Sequence, residues 1–196
     1  MIQDSEALFI SYYLFLSKLL RVSGWNHRRG LRIMICMNTR WTPSVTVAAI
    51  IERDGRYLLV EEHTADGLRL NNPAGHLDPG ESPEQGVARE ALEETAHRFT
   101  PTGLVGVYLA RTRQAATGQD VTYLRLAYRG VLGPREPDRP LDTGIVRTLW
   151  MTLDEIRHST DRHRSPLVLQ CIEDHLAGHN HPLELVHTHP SIHAAT

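Results

Sequence analysis

Cysteine is scarce in this chain of 196 residues, which contains only Cys36 and Cys171. The two lie far apart, and neither belongs to a C-x-x-C pair of the kind that binds zinc. The sequence therefore indicates neither a disulfide framework nor a cysteine metal site. This pattern is typical of a reducing cytoplasm, which is the location we expect, although a protein that needs no disulfide would also show it.

An excess of charge of one sign is also missing, because the formal net charge is -2. Such a chain has no bulk attraction to nucleic acid or to an anionic membrane. We therefore expect a small-molecule substrate that is recognised locally, and no nucleic-acid partner. Internal repeats and Gly/Ser-rich linkers are lacking as well. The length suits one compact domain, acting as a monomer or a homodimer.

No apolar run reaches the length of a standard membrane span, which is about 20 residues. The longest, residues 7–20, is short, and Asp4 and Glu6 precede it where a signal peptide would carry positive charge. Three interpretations of this N-terminal extension stay open. It is a translated leader upstream of a natural start at Met34 or Met37, a membrane or interfacial anchor, or a docked amphipathic helix.

Apolar, β-branched segments predict strands that pair as two hairpins. The predicted strands cover residues 45–51, 57–62, 104–111 and 121–132. Asp54 and Gly55 lie between the first two, and glycine tolerates the positive φ of a tight turn. The segment 64–80, between the hairpins, is rich in Gly, Pro, Asn and Asp, and we expect it to be a loop.

Capping signals predict the helices. Ser82 and Gln85 form one capping box, Thr152 and Glu155 form another, and Pro166 suits the first turn of a third helix. The predicted helices cover residues 83–97, 153–157 and 166–176. The order of strands and helices predicts an α+β fold, with a mixed β-sheet sandwiched between helices.

The segment 75–97 carries the pattern that points to chemistry. Glu90, Glu93 and Glu94 have helical spacing, so they project from one face. Their mutual repulsion makes sense if a hard divalent cation binds between them, and oxygen ligands favour Mg²⁺ or Mn²⁺ over zinc. Arg89 can reach Glu93 or Glu81 and orient a carboxylate. The alternative is that this Glu-rich run is only a solvated helix face.

This segment resembles the Nudix box, G-x5-E-x7-R-E-U-x-E-E-x-G-U, where U is aliphatic. The residues in register are Gly75, Glu81, Arg89, Glu90, Ala91, Glu93 and Glu94. Ala96 replaces the family's glycine and His97 an aliphatic residue, so the exit from the helix is expected to be strained or different. The resemblance implies that the three helix glutamates bind metal, that the Gly75 carbonyl joins them, and that Glu81 and Arg89 support the site.

Beyond the box, residues 41–187 are similar to the bacterial NudJ group of phosphatases, through segments such as VTVAAII, YLRLAY and TLWMTLDEI. The similarity implies a Nudix fold and Mg²⁺-dependent hydrolysis, with Mn²⁺ as a possible substitute. The implied substrates are nucleoside di- and triphosphates and the thiamine precursor hydroxymethylpyrimidine pyrophosphate, with release of phosphate. Two alternatives are hydrolysis of another nucleoside diphosphate derivative and a noncatalytic nucleotide-sensing Nudix domain.

Further candidates come from the charged residues outside the box. Arg125 and Arg111 are predicted to bind substrate, because phosphate groups need positive partners. Glu90 or Glu94 is expected to help deprotonate the attacking water, and Asp120 is a weaker candidate for the base. The predicted organisation is an N-terminal extension over residues 1–40, a Nudix domain over residues 41–187, and a disordered His- and Pro-rich tail over residues 188–196.

Overall fold

The computed structural model describes residues 40–113, 118 and 120–194. The predictions for the N-terminal segment 7–20, for Met34 and Met37, and for Cys36 lie outside these residues. In the part of the chain that is described, no helix has the length and apolar character that a membrane crossing requires.

The strands form two sheets. They are β1 (Ser44–Ile50), β2 (Glu52–Arg53), β3 (Arg56–Thr64), β4 (Gly67–Asn71), β5 (Ala74–His76), β6 (His97–Arg113), β7 (Asp120–Arg135) and β8 (Ile145–Thr152). The first sheet has the order β5-β1-β7-β6, in which β1 runs parallel to β7 and the other pairs are antiparallel. In the second sheet, β3 pairs with β2, β4 and β8.

Three α-helices and three 3₁₀ turns complete the described residues. The helices are α1 (Pro83–Thr95), α2 (Leu153–Arg157) and α3 (Leu167–Leu176), and the turns are Thr160–Arg162, Leu183–Leu185 and Pro190–His193. All three predicted helices are present, and the second predicted hairpin forms as β6 and β7, longer than predicted. The first predicted hairpin is wrong in its pairing, because β3 pairs across the Asp54–Gly55 turn only with the two-residue β2, while β1 pairs with β5 and β7 in the other sheet.

The core lies on both faces of the first sheet. Successive residues of a strand point to opposite faces. Val47 of β1 packs with Val87 and Ala91 of α1 on one side. Ala48, the next residue, packs with Val168 of α3 on the other. All of these side chains are fully buried. The mixed sheet thus lies between helices, which confirms the predicted α+β fold.

The segment 64–80 is not the plain loop that we predicted. It contains β4, which pairs with β3, and β5, which pairs with β1. β5 is short and pairs with β1, which is distant in sequence, so local composition gives little sign of it. β4 forms a tight hairpin with β3, the strand directly before it, and the Asp66–Gly67 signal for that turn was missed. β8 also went unpredicted as a separate strand, although it pairs along most of β3.

The start of α1 follows the prediction, and the helix ends two residues earlier than predicted, with Ala96 in the strained conformation that was one of the two expected outcomes. Ser82 Oγ accepts a hydrogen bond from the Gln85 N–H at 3.2 Å, and Gln85 Oε1 accepts one from the Ser82 N–H at 2.8 Å. The helix stops at Thr95, and Ala96 has a left-handed backbone with φ 57°. Ala96 therefore adopts the conformation for which helix ends commonly use glycine, and His97 already belongs to β6.

The C-terminal segment carries more local structure than we predicted. Leu183 and Val186 pack against the core that contains α1. Further on, Pro190–His193 forms a 3₁₀ turn, and the His193 ring nitrogen Nδ1 lies 3.0 Å from the Gly80 carbonyl oxygen. Residues 190–193 thus form a local turn, and the disorder of the tail over residues 188–196 stays a prediction.

Candidate active site

One face of α1 supplies two buried carboxylates to a cleft of about 290 Å³. Glu90 and Glu94 lie one turn apart, and each is less than 10% exposed. The cleft is bounded on other sides by residues of β1, β3, β4, β5 and β7 and of the segment before β8. Its acidic residues are Glu62, Asp78, Glu90, Glu94 and Asp142. The helix face is thus part of a concave site and is not merely solvated.

Arg89 ties the acidic residues of the Nudix-like segment together. Its guanidinium donates to both carboxylate oxygens of Glu81, at 2.7 and 3.0 Å. Nη1 donates to Glu90 Oε1 at 2.8 Å and to Glu93 Oε2 at 3.0 Å, and Nη2 donates to the His76 carbonyl at 2.9 Å. Arg89 therefore meets both of its predicted partners, and also Glu90.

Glycine is required at position 75 by its contact with α1. A Cβ built on Gly75 would lie 2.1 Å from Glu90 Oε1, a distance at which the two atoms overlap. Next to it, the Ala74 N–H donates to Glu94 Oε2 at 2.8 Å. The backbone of β5 is therefore packed directly against the two buried carboxylates. The metal-binding role of the Gly75 carbonyl stays a prediction.

Burial sets the protonation of these carboxylates. Desolvation raises the pKa of Glu94 to about 8, and the charges of Glu90 and Glu62 add to this, while the Ala74 N–H opposes it. Burial also raises the pKa of Glu90, although Arg89 acts in the other direction. The hydrogen bond from Arg89 lowers the pKa of Glu81. Added positive charge in the cleft would therefore favour the ionised form of Glu90 and Glu94.

The donor set fits a hard divalent cation by its chemistry, since it consists of carboxylate oxygens. Among the residues that the structure describes, however, no three acidic, histidine or cysteine side chains already converge on one point. Arg89 holds oxygens of Glu90 and Glu93, and Glu93 is more exposed than its two neighbours in the pattern. A cation that bound here would have to draw these oxygens away from Arg89.

The predicted substrate arginines lie elsewhere. Arg125 is 7% exposed and does not line the cleft, and its Nε and Nη1 atoms have no hydrogen-bond partner. Arg111 pairs with Asp120 near the end of the second hairpin, with Nε 2.6 Å from Asp120 Oδ1. This pairing also leaves Asp120 outside the cleft. The structure thus does not bring Arg125, Arg111 or Asp120 to the carboxylates of α1, contrary to our expectation.

Sequence reasoning missed several polar residues of the cleft wall, among them Glu62, Asn71 and Arg164. Glu62, at the end of β3, accepts from Asn71 Nδ2 at 3.1 Å and pairs with Arg164 Nη1. Glu62 is less than 10% exposed. A signal was available, because an acidic residue that ends a strand of buried apolar residues is costly unless it has a partner.

Comparisons with known proteins agree with this geometry. The NUDIX domain family matches residues 40–171. Phosphatase NudJ of Escherichia coli (strain K12) is 34% identical over 145 residues, covering 74% of this chain and 90% of the phosphatase. A NUDIX hydrolase structure from Nitrosomonas europaea has 50% sequence identity and a TM-score of 0.69, covering 76% of this chain and 98% of its own. A MutT NUDIX hydrolase from Burkholderia pseudomallei has 25% identity and a TM-score of 0.53, covering 68% and 98%.

The family match spans more than half of the chain and includes the whole of α1 with the loop before it. The relatives are hydrolases or phosphatases, which agrees with a cleft built from carboxylates on a helix. The resemblance predicted from the sequence is confirmed: the chain belongs to the Nudix hydrolase family and is a hydrolase that acts on phosphoanhydrides.

Proposed function

We propose that this hydrolase cleaves phosphoanhydride bonds of nucleoside di- and triphosphates and of hydroxymethylpyrimidine pyrophosphate, releasing phosphate, with Mg²⁺ as cofactor. The observation that carries the proposal is the pair of buried carboxylates, Glu90 and Glu94, in a cleft against the backbone of β5. The likeness to Phosphatase NudJ supports phosphate release.

Within this proposal, Glu90, Glu93 and Glu94 hold the cation, and the Gly75 carbonyl joins them. When bound, a divalent cation neutralises phosphate oxygens and lowers the pKa of a water molecule. Mn²⁺ would serve as a substitute, because it shares the preference for oxygen ligands.

The remaining roles, which are proton transfer and positioning, fall to side chains of the protein. Glu94 is held in place by the Ala74 N–H, and its other oxygen, Oε1, is the candidate for accepting a proton from the attacking water. Glu90 is the second candidate for this role. Arg89 and Glu81 act as positioning residues, because their paired hydrogen bonds join the loop before α1 to the helix.

The test is hydrolysis by the purified full chain with Mg²⁺ and a panel of GTP, GDP, hydroxymethylpyrimidine pyrophosphate and ADP-ribose. Released phosphate and pyrophosphate are measured separately. We expect phosphate from the first three substrates and a loss of at least about 100-fold in kcat for Glu94→Gln. Asp154→Asn is the matched control, since its carboxylate is 84% exposed on α2.

Two outcomes would contradict the proposal. One is hydrolysis of ADP-ribose alone, which would point to another nucleoside diphosphate derivative as substrate. The other is a folded Glu94→Gln variant with wild-type kcat, since a carboxylate that holds metal or accepts the proton cannot be replaced without loss. Circular dichroism of each variant separates a loss of chemistry from a loss of fold.

We further propose that the protein works in the cytoplasm, as a monomer or a homodimer, and without a nucleic-acid partner. The near-neutral formal charge of the chain supports the last point. Cys171 supports the first, since it is a buried free thiol, and burial raises its pKa to about 11.

A further inference from the structure

Permanent positive charge is rare in the acidic cleft. Among the described residues that line it, Arg164 is the only arginine, and the sole lysine of the chain is Lys18. A phosphoanhydride brings several negative charges, and arginine is the side chain best suited to hold phosphate oxygens directly. Arg164 is therefore the protein group in this cleft that can pair with a phosphate.

Arg164 is fixed before any ligand arrives. Its backbone N–H donates to the Leu70 carbonyl at 2.9 Å. Its Nη1 pairs with Glu62, and Glu62 is held in turn by Asn71. Within the described residues, Nε and Nη2 have no hydrogen-bond partner, and the side chain is 43% exposed. One edge of the guanidinium is thus anchored, while other donors remain available to a ligand.

The cleft continues past Arg164. A second recess, of about 160 Å³, shares Arg164, His63 and Tyr123 with the carboxylate cleft. Tyr123 and His76 place their ring centroids 6.3 Å apart. A phosphate chain that reaches from the carboxylates to Arg164 would therefore carry its organic group alongside the ring of Tyr123. A planar base is the group that an aromatic face binds well.

The buried Arg125 lies near the end of the cleft that contains Arg164. It lies close enough to Arg164 and Glu62 for their charges to act on its pKa, which burial lowers most. Arg164 pairs with the carboxylate of Glu62, and Nε and Nη1 of Arg125 have no hydrogen-bond partner. An anion that bound beside Arg164 would therefore have a second guanidinium nearby.

Resting on the proposed function, we propose that Arg164 is the specificity residue that binds the non-reacting phosphate of the substrate, and that Tyr123 stacks on its base. The substrate class is a nucleoside or pyrimidine diphosphate or triphosphate. Arg164 acts by binding and not by proton transfer. Its removal therefore raises KM and leaves kcat largely unchanged.

The experiment measures kcat and KM for GDP with Mg²⁺ in wild type, Arg164→Gln and Arg164→Lys. We expect a KM about 10- to 100-fold higher for Arg164→Gln. Partial recovery is expected with lysine, which restores the charge but not the planar fork. Arg157→Gln is the matched control, because Arg157 has similar exposure and pairs with Glu173 outside the cleft. An unchanged KM for Arg164→Gln, or a loss confined to kcat, overturns the proposal.

A binding measurement keeps this test separate from the proposed function. GDP is titrated into the EDTA-treated protein by calorimetry, which requires no turnover. We expect Arg164→Gln to bind GDP at least about 10-fold more weakly than wild type. Equal binding, or no binding by wild type, overturns the role of Arg164 whether or not GDP is hydrolysed. The double variant Glu62→Gln/Arg164→Gln must bind GDP as weakly as Arg164→Gln does. That result excludes the explanation that the loss of binding comes from the unpaired carboxylate of Glu62.

Inorganic triphosphate separates the two halves of the inference, since it has phosphates and no ring. Tyr123→Leu is expected to raise KM for GDP about 10-fold and to leave KM for inorganic triphosphate unchanged, whereas Arg164→Gln raises both. An equal effect of Tyr123→Leu on both substrates would overturn the stacking role.

Discussion

At the scale of single residues, the site depends on how closely the backbone of β5 approaches Glu90. Only hydrogen fits at position 75, because a Cβ would overlap the carboxylate at 2.1 Å. Glycine at this position would also leave room for a bound cation, since a side chain there would block the space beside the carboxylates. Packing and chemistry thus impose one requirement on Gly75.

We expect Gly75→Ala to lower activity by about 10-fold or more and to destabilise the protein by about 1–3 kcal/mol, because the methyl group displaces Glu90. The decisive comparison is a double-mutant cycle with Glu90→Ala, measured by urea denaturation. Without the Glu90 carboxylate, Gly75→Ala should cost much less stability. If its cost is the same in both backgrounds, the contact with Glu90 is not the cause.

Residue-level prediction from the sequence worked where the partners are close along the chain. The link of Arg89 to Glu81 and Glu93 follows from helical spacing and a short loop. Arg125 was expected to bind substrate, and the structure buries it outside the cleft for a physical reason. It alternates with Leu124 and Leu126 on β7, which suggests a solvated face, but α3 covers that face. Arg164 could not be found at all, since its place depends on Glu62 of β3.

At the scale of elements, the end of α1 shows how a fold tolerates a locally unfavourable residue. Ala96 adopts φ 57°, and a left-handed backbone costs a residue with a Cβ about 1–2 kcal/mol. Its methyl group is fully buried, which stabilises the folded state by about 0.8 kcal/mol. Burial thus offsets about half of the strain, and the remaining cost is small enough for the helix to end at this residue without glycine.

This balance predicts that Ala96→Gly changes the free energy of unfolding by less than about 1 kcal/mol, while Ala96→Val lowers it by more than about 2 kcal/mol. The branched valine is strongly disfavoured at positive φ, and its extra carbon atoms do not fit a fully buried position. Ala177 is the matched control, because it ends α3 with φ −69° and is exposed. Urea denaturation of both valine variants checks the difference, and equal losses would contradict it.

Elements were predictable from sequence when their signals are local. The capping boxes of α1 and α2 lie within four consecutive residues each, and both form as expected. The strands β5 and β8 depend on pairing with β1 and β3, which are distant in sequence, and no local pattern encodes that pairing. β4 pairs with its neighbour β3 across a tight turn, and the Asp66–Gly67 signal for that turn was missed. These strands help to form the cleft, so its wall was less predictable than the helix that carries Glu90 and Glu94.

At the scale of the whole molecule, the fold concentrates negative charge in one cleft although the chain is nearly neutral. The acidic side chains come from β3, from α1 and from the segments before α1 and β8. Bringing them together is unfavourable unless they are protonated, paired with arginine or joined by a cation. The protein should therefore be less stable without metal, and increasingly so as the carboxylates ionise.

The raised pKa of Glu94 allows this dependence of stability on carboxylate ionisation to be tested. Its pKa is about 8 in the folded protein and near 4.5 in the unfolded chain, so the folded state binds more protons between these values. The free energy of unfolding therefore falls as pH rises from about 4.5 to 8 in EDTA-treated protein. Glu94→Gln should lose this decline and melt above wild type at pH 8, with little difference near pH 4.5.

Added Mg²⁺ should reverse the order of the melting temperatures of wild type and Glu94→Gln. At pH 8 a cation at 100 times its Kd stabilises the folded wild type by about 2.7 kcal/mol, and Glu94→Gln should lose most of that gain. Melting temperatures at several pH values, with EDTA and with Mg²⁺, measure both effects. Asp154→Asn, whose carboxylate is exposed, should follow wild type throughout. If Glu94→Gln instead tracks wild type in EDTA and gains equally from Mg²⁺, Glu94 neither carries the buried proton nor binds the metal.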